Sequence, residues 1–246
     1  MWITIDGLVC KCEKGEYILT VARRNGIEIP TLCHHDGFSG QGACRVCIVE
    51  VVENDRSKIV VFCVYPIEKE CEIFTNSEIV RKQRGMILAL LRKKAPASKE
   101  IEELCKTYGA PDIERFVSEP GNKCVMCGLC VKACTELSAG AIATVNRGVS
   151  KEIATAYHEP ASTCIGCGSC AYVCPTGAID ISQTDSERVI WGKTFRLVKC
   201  SRCGQVIGTE EEVAYAAQRS GVEPDSLCEA CRKRQIADSF RMIYGA

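Results

Sequence analysis

Cys124-Val-Met-Cys-Gly-Leu-Cys-Val-Lys-Ala-Cys134 recurs further along the chain as Cys164-Ile-Gly-Cys-Gly-Ser-Cys-Ala-Tyr-Val-Cys174. Each stretch places three cysteines two residues apart and a fourth after three more residues. Each is followed by Gly-Ala-Ile, at 140–142 and at 177–179, so two copies of one short unit indicate a pseudo-twofold domain. A loop with three thiolates can wrap a four-iron cluster, whereas zinc sites rarely use this spacing.

This segment resembles the two-cluster domain of bacterial-type ferredoxins. In that family the fourth cysteine of each motif ligates the other cluster. The resemblance implies two [4Fe-4S] clusters, one held by Cys124, Cys127, Cys130 and Cys174 and the other by Cys164, Cys167, Cys170 and Cys134. Pro175 follows the second motif as the family pattern expects, but Thr135 stands in its place after the first.

A second cysteine pattern lies nearer the N-terminus, where Cys33, Cys44, Cys47 and Cys63 form C-x10-C-x2-C-x15-C. A Cys-x-x-Cys pair on a loop, one cysteine before it and one on a later strand can surround a two-iron cluster. Zinc is the alternative for four such cysteines.

The residues around this pattern narrow the choice. Ile29-Pro-Thr-Leu-Cys-His-His35 and Gly42-Ala-Cys-Arg-Val-Cys-Ile-Val-Glu-Val51 resemble the N-terminal [2Fe-2S] domain of the large peripheral-arm subunit of respiratory complex I. The same domain occurs in NAD-linked iron-only hydrogenases and formate dehydrogenases. The resemblance implies that the four cysteines ligate one [2Fe-2S] cluster, and we expect His34 and His35 to make structural hydrogen bonds beside it.

The chain departs from these relatives in two ways. They carry a cluster held by one histidine and three cysteines after the connector helix, but residues 92–109 offer only Cys105 and no histidine. We therefore expect that cluster to be absent. The stretch after the ferredoxin repeat is also too short for a hydrogenase or molybdopterin domain.

The C-terminal part has a third pattern, C-x2-C-x24-C-x2-C, formed by Cys200, Cys203, Cys228 and Cys231. Two such pairs are typical of a tetrahedral zinc site, and a further iron–sulfur cluster could use the same ligands. We favour zinc, with a further iron–sulfur cluster as the alternative. Between the pairs, Thr209-Glu-Glu-Glu212 predicts a capping box at the start of a helix.

These patterns predict an α+β chain of four parts. We expect a β-grasp [2Fe-2S] domain over 1–76, a helical connector over 77–121, a 2[4Fe-4S] ferredoxin domain over 122–184 and a four-cysteine, zinc-ribbon-like tail over 185–246. Cys10, Cys12, Cys71 and Cys105 match no ligand pattern and are expected to be small buried side chains.

Composition limits the class of protein. Twenty cysteines in 246 residues with no recognisable secretory signal indicate metal binding in a reducing compartment, and we expect the cytoplasm. Lys plus Arg equals Asp plus Glu at 31 each, which argues against a nucleic-acid partner. Apolar runs such as 86–91 are too short to span a membrane.

The chain resembles the small iron–sulfur subunits of NAD(P)H-linked complexes, including flavin-based electron-bifurcating ones. The resemblance implies electron relay, with no catalytic residue of its own, in a hetero-oligomer with a flavin subunit that binds NAD(P)H and a small [2Fe-2S] subunit. Ferredoxin or another catalytic subunit would be the further partner. A free-standing carrier and a redox-sensing regulator are the alternatives, and the sequence leaves open NAD versus NADP, the direction of flow and bifurcation.

Overall fold

The computed structural model describes residues 1–137 and 140–245. The chain divides into two compact units. The first consists of Met1–Leu129 with Val173–Ala178, and the second begins at Cys130 and takes the remainder of the chain.

The first unit is built on a five-stranded sheet with one helix packed on it. Its elements are β1 (Trp2–Ile5), β2 (Leu8–Lys11), α1 (Ile18–Arg24), β3 (Ile48–Glu53), β4 (Arg56–Val61) and β5 (Glu72–Phe74). The strand order is β2-β1-β5-β3-β4, with β1 and β5 parallel and the other neighbours antiparallel. This is the β-grasp arrangement that the sequence predicted.

Alternating residues explain how the first hairpin forms. Trp2 is exposed while Ile3 and Ile5 are buried, since successive side chains of a strand point to opposite faces. Asp6 and Gly7 both have positive φ, 46° and 84°, as a two-residue hairpin turn of type I′ requires. The buried isoleucines join Ile18 and Val21 of α1 in the core of the unit.

Two helices complete this unit, α2 (Glu78–Lys94) and α3 (Lys99–Tyr108). The side chain of Ser98 accepts a hydrogen bond from Ile101 N at 3.3 Å and so caps α3. Gly109, at φ 61°, ends the helix in the left-handed conformation. Both helices lie within residues 77–121, where the sequence predicted a helical connector.

The second unit contains two sheets and four helices among its described residues. Its elements are α4 (Leu129–Leu137), β6 (Ile142–Val145), β7 (Glu152–Thr155), α5 (Ser169–Tyr172), β8 (Ile181–Gln183), β9 (Glu187–Ile190), β10 (Lys193–Lys199), β11 (Val206–Thr209), α6 (Glu210–Ser220) and α7 (Glu229–Tyr244). β6 pairs with β7, and the other strands form an antiparallel sheet in the order β11-β10-β9-β8.

Within the part of the chain that the structure describes, no helix is both long and apolar enough to cross a membrane.

Candidate metal centres

The structure brings the four N-terminal cysteines together. Cys33 and Cys44 lie on the long loop between α1 and β3, Cys47 directly precedes β3, and Cys63 lies just after β4. All four are at most 6% exposed. The Cys33 thiol is hydrogen-bonded to those of Cys44 and Cys63, and the Cys47 thiol to that of Cys63. Four buried sulfurs that meet in this way fit a thiolate-ligated metal group.

The pKa values of the four N-terminal cysteines are shifted in opposite directions. Hydrogen bonds from the Cys44 and Cys63 thiols lower the pKa of Cys33 to about 2, while the same bonds raise the pKa of Cys63 and that of Cys44. The backbone N–H of Cys44 also donates to Cys33 Sγ at 3.3 Å. Because metals bind the thiolate, a site that already stabilises one thiolate is suited to ligation.

A buried cation supports the same site from α2. The Arg84 side chain is 1% exposed, and its Nε donates to the carbonyl of Val46 at 2.9 Å while Nη2 donates to that of Ile48 at 2.6 Å. These two carbonyls flank Cys47, so the guanidinium fixes the backbone on both sides of a predicted ligand. Burial lowers the pKa of Arg84, and the nearby charges of Tyr108 and Cys47 oppose that effect.

The two histidines beside Cys33 differ in their contacts. His35 Nδ1 accepts a hydrogen bond from Gly37 N at 3.1 Å, as expected of a structural histidine. His34 Nδ1 is buried and makes no hydrogen bond to the described residues. Its Nδ1 lies 3.7 Å from Asp36 Oδ1, and burial lowers its pKa.

Three of the four predicted ligands of the first four-iron site belong to the first unit, namely Cys124, Cys127 and Cys174, while Cys130 begins the second unit. Backbone N–H groups already point at two of these sulfurs, from Met126 to Cys124 Sγ at 3.4 Å and from Ala178 to Cys174 Sγ at 3.3 Å. Such N–H···S bonds are typical of iron–sulfur loops.

Within the first unit, the loop that carries Cys33 and Cys44 lies near the loop that carries Cys124 and Cys127. Burial raises the pKa of Cys127 to about 11, and the charges of Cys174, Cys124 and Cys33 add to the increase. The loops also touch, because a Cβ on Gly128 would lie 3.1 Å from Gln41 Oε1. Gln41 lies between Cys33 and Cys44, so the two predicted sites share a packed boundary.

The predicted ligands of the second four-iron site all lie in the second unit. Cys134, Cys164, Cys167 and Cys170 line one cavity together with Trp191. Cys134 Sγ accepts a hydrogen bond from Ala141 N at 3.2 Å. Burial raises the pKa of Cys170 to about 11, and a hydrogen bond from Trp191 works against this increase. A thiol-lined cavity with N–H donors suits an anionic thiolate cluster.

Glycine is required in the loop that carries these cysteines. Gly166 has φ 69°, and a Cβ there would lie 2.6 Å from Cγ of Phe195, which is itself buried. The Phe195 ring therefore rests directly on the loop backbone between Cys164 and Cys167. A side chain at 166 would have to displace either the ring or the loop.

The four C-terminal cysteines bring their sulfurs close together. Cys200, Cys203, Cys228 and Cys231 place their sulfurs within 4.8 Å of one another, and Cys203 Sγ lies 3.6 Å from Cys228 Sγ. Four sulfurs bound tetrahedrally to one zinc at about 2.3 Å would lie about 3.8 Å apart. A backbone hydrogen bond from Cys228 lowers the pKa of Cys200 to about 6, which favours the ligating thiolate. The site therefore fits a single metal ion.

The cysteine spacing predicts the ligand sets but gives no sign of the residues that contact them. Arg84 was assigned only to a connector helix, and Trp191 to no role. Both side chains make hydrogen bonds to residues that are distant in sequence, and such contacts cannot be read from the spacing of neighbouring residues. An arginine at a buried position of a helix was the one available signal for Arg84.

The family comparisons agree with the cysteine groups. Residues 2–78 match a family described as a 2Fe-2S iron-sulfur cluster binding domain, and residues 123–178 match a 4Fe-4S dicluster domain. Together with the β-grasp sheet and the buried cysteine sets, these matches define an iron–sulfur protein with ferredoxin-type domains.

Particular relatives share these domains. The chain is 29% identical to the 75 kDa subunit of NADH-ubiquinone oxidoreductase from Reclinomonas americana, over 72% of this chain and 29% of that protein. It is 31% identical to subunit HndD of the NADP-reducing hydrogenase from Solidesulfovibrio fructosivorans, over 72% of this chain and 35% of the relative. The chain thus spans about a third of the length of these curated relatives.

A solved structure supports the fold. The match is to a chain of the NAD⁺-reducing [NiFe]-hydrogenase in its H₂-reduced state, with a TM-score of 0.59 and 24% identity. It covers 72% of this chain and 85% of that one.

Proposed function

We propose that the chain is an electron-transfer subunit of a multi-subunit oxidoreductase. It relays single electrons between a flavin subunit that reacts with NAD(P)H and either ferredoxin or a partner catalytic subunit. In this proposal one [2Fe-2S] cluster is held by Cys33, Cys44, Cys47 and Cys63, one [4Fe-4S] cluster by Cys124, Cys127, Cys130 and Cys174, and a second by Cys164, Cys167, Cys170 and Cys134. When bound, such clusters accept and release electrons at potentials that their surroundings set.

One observation carries the proposal. Gln41, on the loop between Cys33 and Cys44, packs against Gly128, which follows Cys127, so the loops that carry these two sets of cysteines adjoin within the first unit. A protein that stored a metal or used it only for folding would gain nothing from this adjacency. Neighbouring redox sites with a packed protein boundary are what an electron relay needs.

The relatives favour the same role and suggest the partners. Their names describe subunits of NADH-linked or NADP-linked oxidoreductases. We extend to this chain a flavin subunit and a small [2Fe-2S] subunit as companions, and ferredoxin or a catalytic subunit as the further partner. We also propose a place in the reducing cytoplasm, because sixteen of the cysteines lie in metal-ligand patterns and none is joined in a disulfide.

Anaerobic purification of the chain from its native source, with an affinity tag on the chromosomal copy, tests this role. We expect a flavin-containing subunit to co-purify, and NADH or NADPH to reduce the complex so that two-iron and four-iron EPR signals appear. A lone monomer without flavin, unreactive toward both nucleotides but reducible by dithionite, would instead favour the free-standing carrier.

The ligand assignment has its own test in paired cysteine variants. Cys63→Ser should lose about two irons per chain, because it removes one of four two-iron ligands. Cys71→Ser is the matched control, since Cys71 is half-buried and lies outside every predicted set. Equal iron content in the two variants would show that Cys63 is not a ligand.

For the C-terminal group we propose one zinc ion held by Cys200, Cys203, Cys228 and Cys231. The short sulfur separations support it, because a mononuclear site needs them. A further iron–sulfur cluster remains the competing occupant. X-ray absorption at the zinc edge should report four sulfurs at about 2.3 Å, and a site filled by iron with sulfide would reject zinc.

A further inference from the structure

The hairpin of β9 and β10 makes three hydrogen bonds to the loop that carries Cys164–Cys170. Arg188 Nη1 donates to the carbonyl of Gly166 at 2.7 Å, and Lys193 Nζ donates to that of Cys164 at 2.9 Å. Trp191 Nε1 donates to Cys170 Sγ at 3.4 Å. The first two bonds hold the loop backbone, whereas the third ends on a predicted ligand atom.

The position of Trp191 is conformationally costly. Ile190 pairs with Lys193, so Trp191 and Gly192 alone form the turn, and their φ values are 53° and 71°. Such a turn favours Asn-Gly, because both central residues need positive φ. A bulky residue at positive φ is an outlier, and outliers of this kind persist where the side chain has a task.

The surroundings show what the indole contacts. Cys170 is 8% exposed, and Trp191 packs with it in the apolar cluster that includes Ile142, Ile190 and Phe195. A hydrogen bond in so apolar a setting is electrostatically stronger than one in water. An N–H donated to a ligand sulfur stabilises the more negative, reduced state of a cluster more than its oxidised state.

We propose that Trp191 is a positioning residue that raises the midpoint potential of the second four-iron site by donating its indole N–H to Cys170 Sγ. The inference rests on the proposed ligation of a cluster by Cys134, Cys164, Cys167 and Cys170. The strained turn between β9 and β10 places the indole N–H within hydrogen-bond distance of Cys170 Sγ. The β9–β10 turn, which lies outside the ferredoxin repeat, thereby changes the midpoint potential of a cluster within the repeat.

Potentiometric EPR titration of the anaerobically purified full chain tests the proposal with Trp191→Phe, which keeps an apolar ring and removes the N–H. We expect full iron content and one of the cluster midpoints to fall. The reduction equilibrium should weaken roughly three- to tenfold, and tenfold corresponds to about 59 mV for one electron. The control is Trp2→Phe, since Trp2 is the other tryptophan and is 54% exposed on β1.

A second variant separates potential from folding. Trp191→Asn creates the Asn-Gly sequence that the turn prefers, so the hairpin should be retained while the donor to sulfur is lost. We expect the same midpoint to fall as in Trp191→Phe. Pulsed EPR of the reduced parent should show an exchangeable proton near the cluster that disappears in D₂O and is missing from both variants.

Two results would overturn the proposal. Unchanged midpoints in Trp191→Phe at full iron content would show that the N–H does not act on the cluster. Loss of about four irons from both variants would make the role of Trp191 purely structural. Failure of the cluster assignment itself looks different, because the parent protein would then lack the iron of this site.

Discussion

At the scale of single residues, the cysteine sites also depend on side chains that are not predicted ligands. Arg84 is among the largest fully buried side chains and binds three carbonyls, those of Val46, Ile48 and Thr75. A buried guanidinium is tolerated only where its donors are satisfied. It couples α2 to the backbone around Cys47, so the helix and the two-iron site should be lost together.

Replacing Arg84 tests this coupling. Arg84→Gln leaves buried carbonyls short of donors and should lower the stability of the site by roughly 1–3 kcal/mol. The measurement is the denaturant concentration at which the visible absorbance of the two-iron site is lost. Arg81→Gln, an exposed arginine on the same helix, should change stability by no more than about 0.5 kcal/mol. Equal effects of the two substitutions would refute a special role for Arg84.

Gly166 gives a second residue-scale prediction. Gly166→Ala sets a Cβ against the buried Phe195 ring and should cost about four irons per chain, because the Cys164–Cys167 loop cannot close. Gly148 has a similar φ of 61° and open space around its Cβ position, so Gly148→Ala is the matched control. Iron analysis decides between steric conflict and backbone strain, since strain alone would affect both variants.

At the scale of elements, the capping box of α6 also binds the loop between Cys164 and Cys167. The Thr209 side chain is fully buried, accepts from Glu212 N at 3.0 Å and donates to the carbonyl of Ile165 at 2.5 Å. One hydroxyl thus begins the helix and also fastens it to the loop between Cys164 and Cys167. The sequence predicted the capping box but could not reveal the bond to Ile165.

Thr209→Ala should therefore weaken both features. Loss of the cap costs about 0.5–2 kcal/mol, and the orphaned carbonyl adds to that. Hydrogen exchange should become faster in α6 and in the loop around Ile165 together. Thr209→Ser keeps the hydroxyl and should exchange as the parent does. Faster exchange confined to α6 would show that the bond to Ile165 contributes nothing.

Local signals decided how well these elements could be predicted. Asp6-Gly7, Ser98 and Thr209 form turns and caps through short-range chemistry, and the capping box at Thr209 lies where the sequence predicted it. β9 and β10 went unpredicted, because their turn uses Trp-Gly in place of the favoured Asn-Gly. The Cys-x-x-Cys pairs are visible in the sequence because their spacing is local, whereas the hydrogen bonds to the cysteine loops join distant segments.

At the scale of the whole molecule, the sheet of β8 to β11 bears on how the parts are organised. β8 precedes residue 184 and β9 to β11 follow it, yet all four belong to one sheet. The Cys164–Cys170 loop and the C-terminal cysteines therefore lie in one compact unit. The domain limits given in the sequence analysis stay predictions, and the shared sheet joins the predicted tail to the segment that follows the second four-iron motif.

The central claim is that the chain holds a series of iron–sulfur clusters. Quantitative iron, acid-labile sulfide and zinc on the anaerobically purified protein test it most directly. The account predicts about ten irons, about ten sulfides and one zinc per chain, from one two-iron and two four-iron clusters and a mononuclear tail site. About fourteen irons without zinc would reject the zinc tail alone. Zinc in every cysteine group, with no acid-labile sulfide, would contradict the account as a whole.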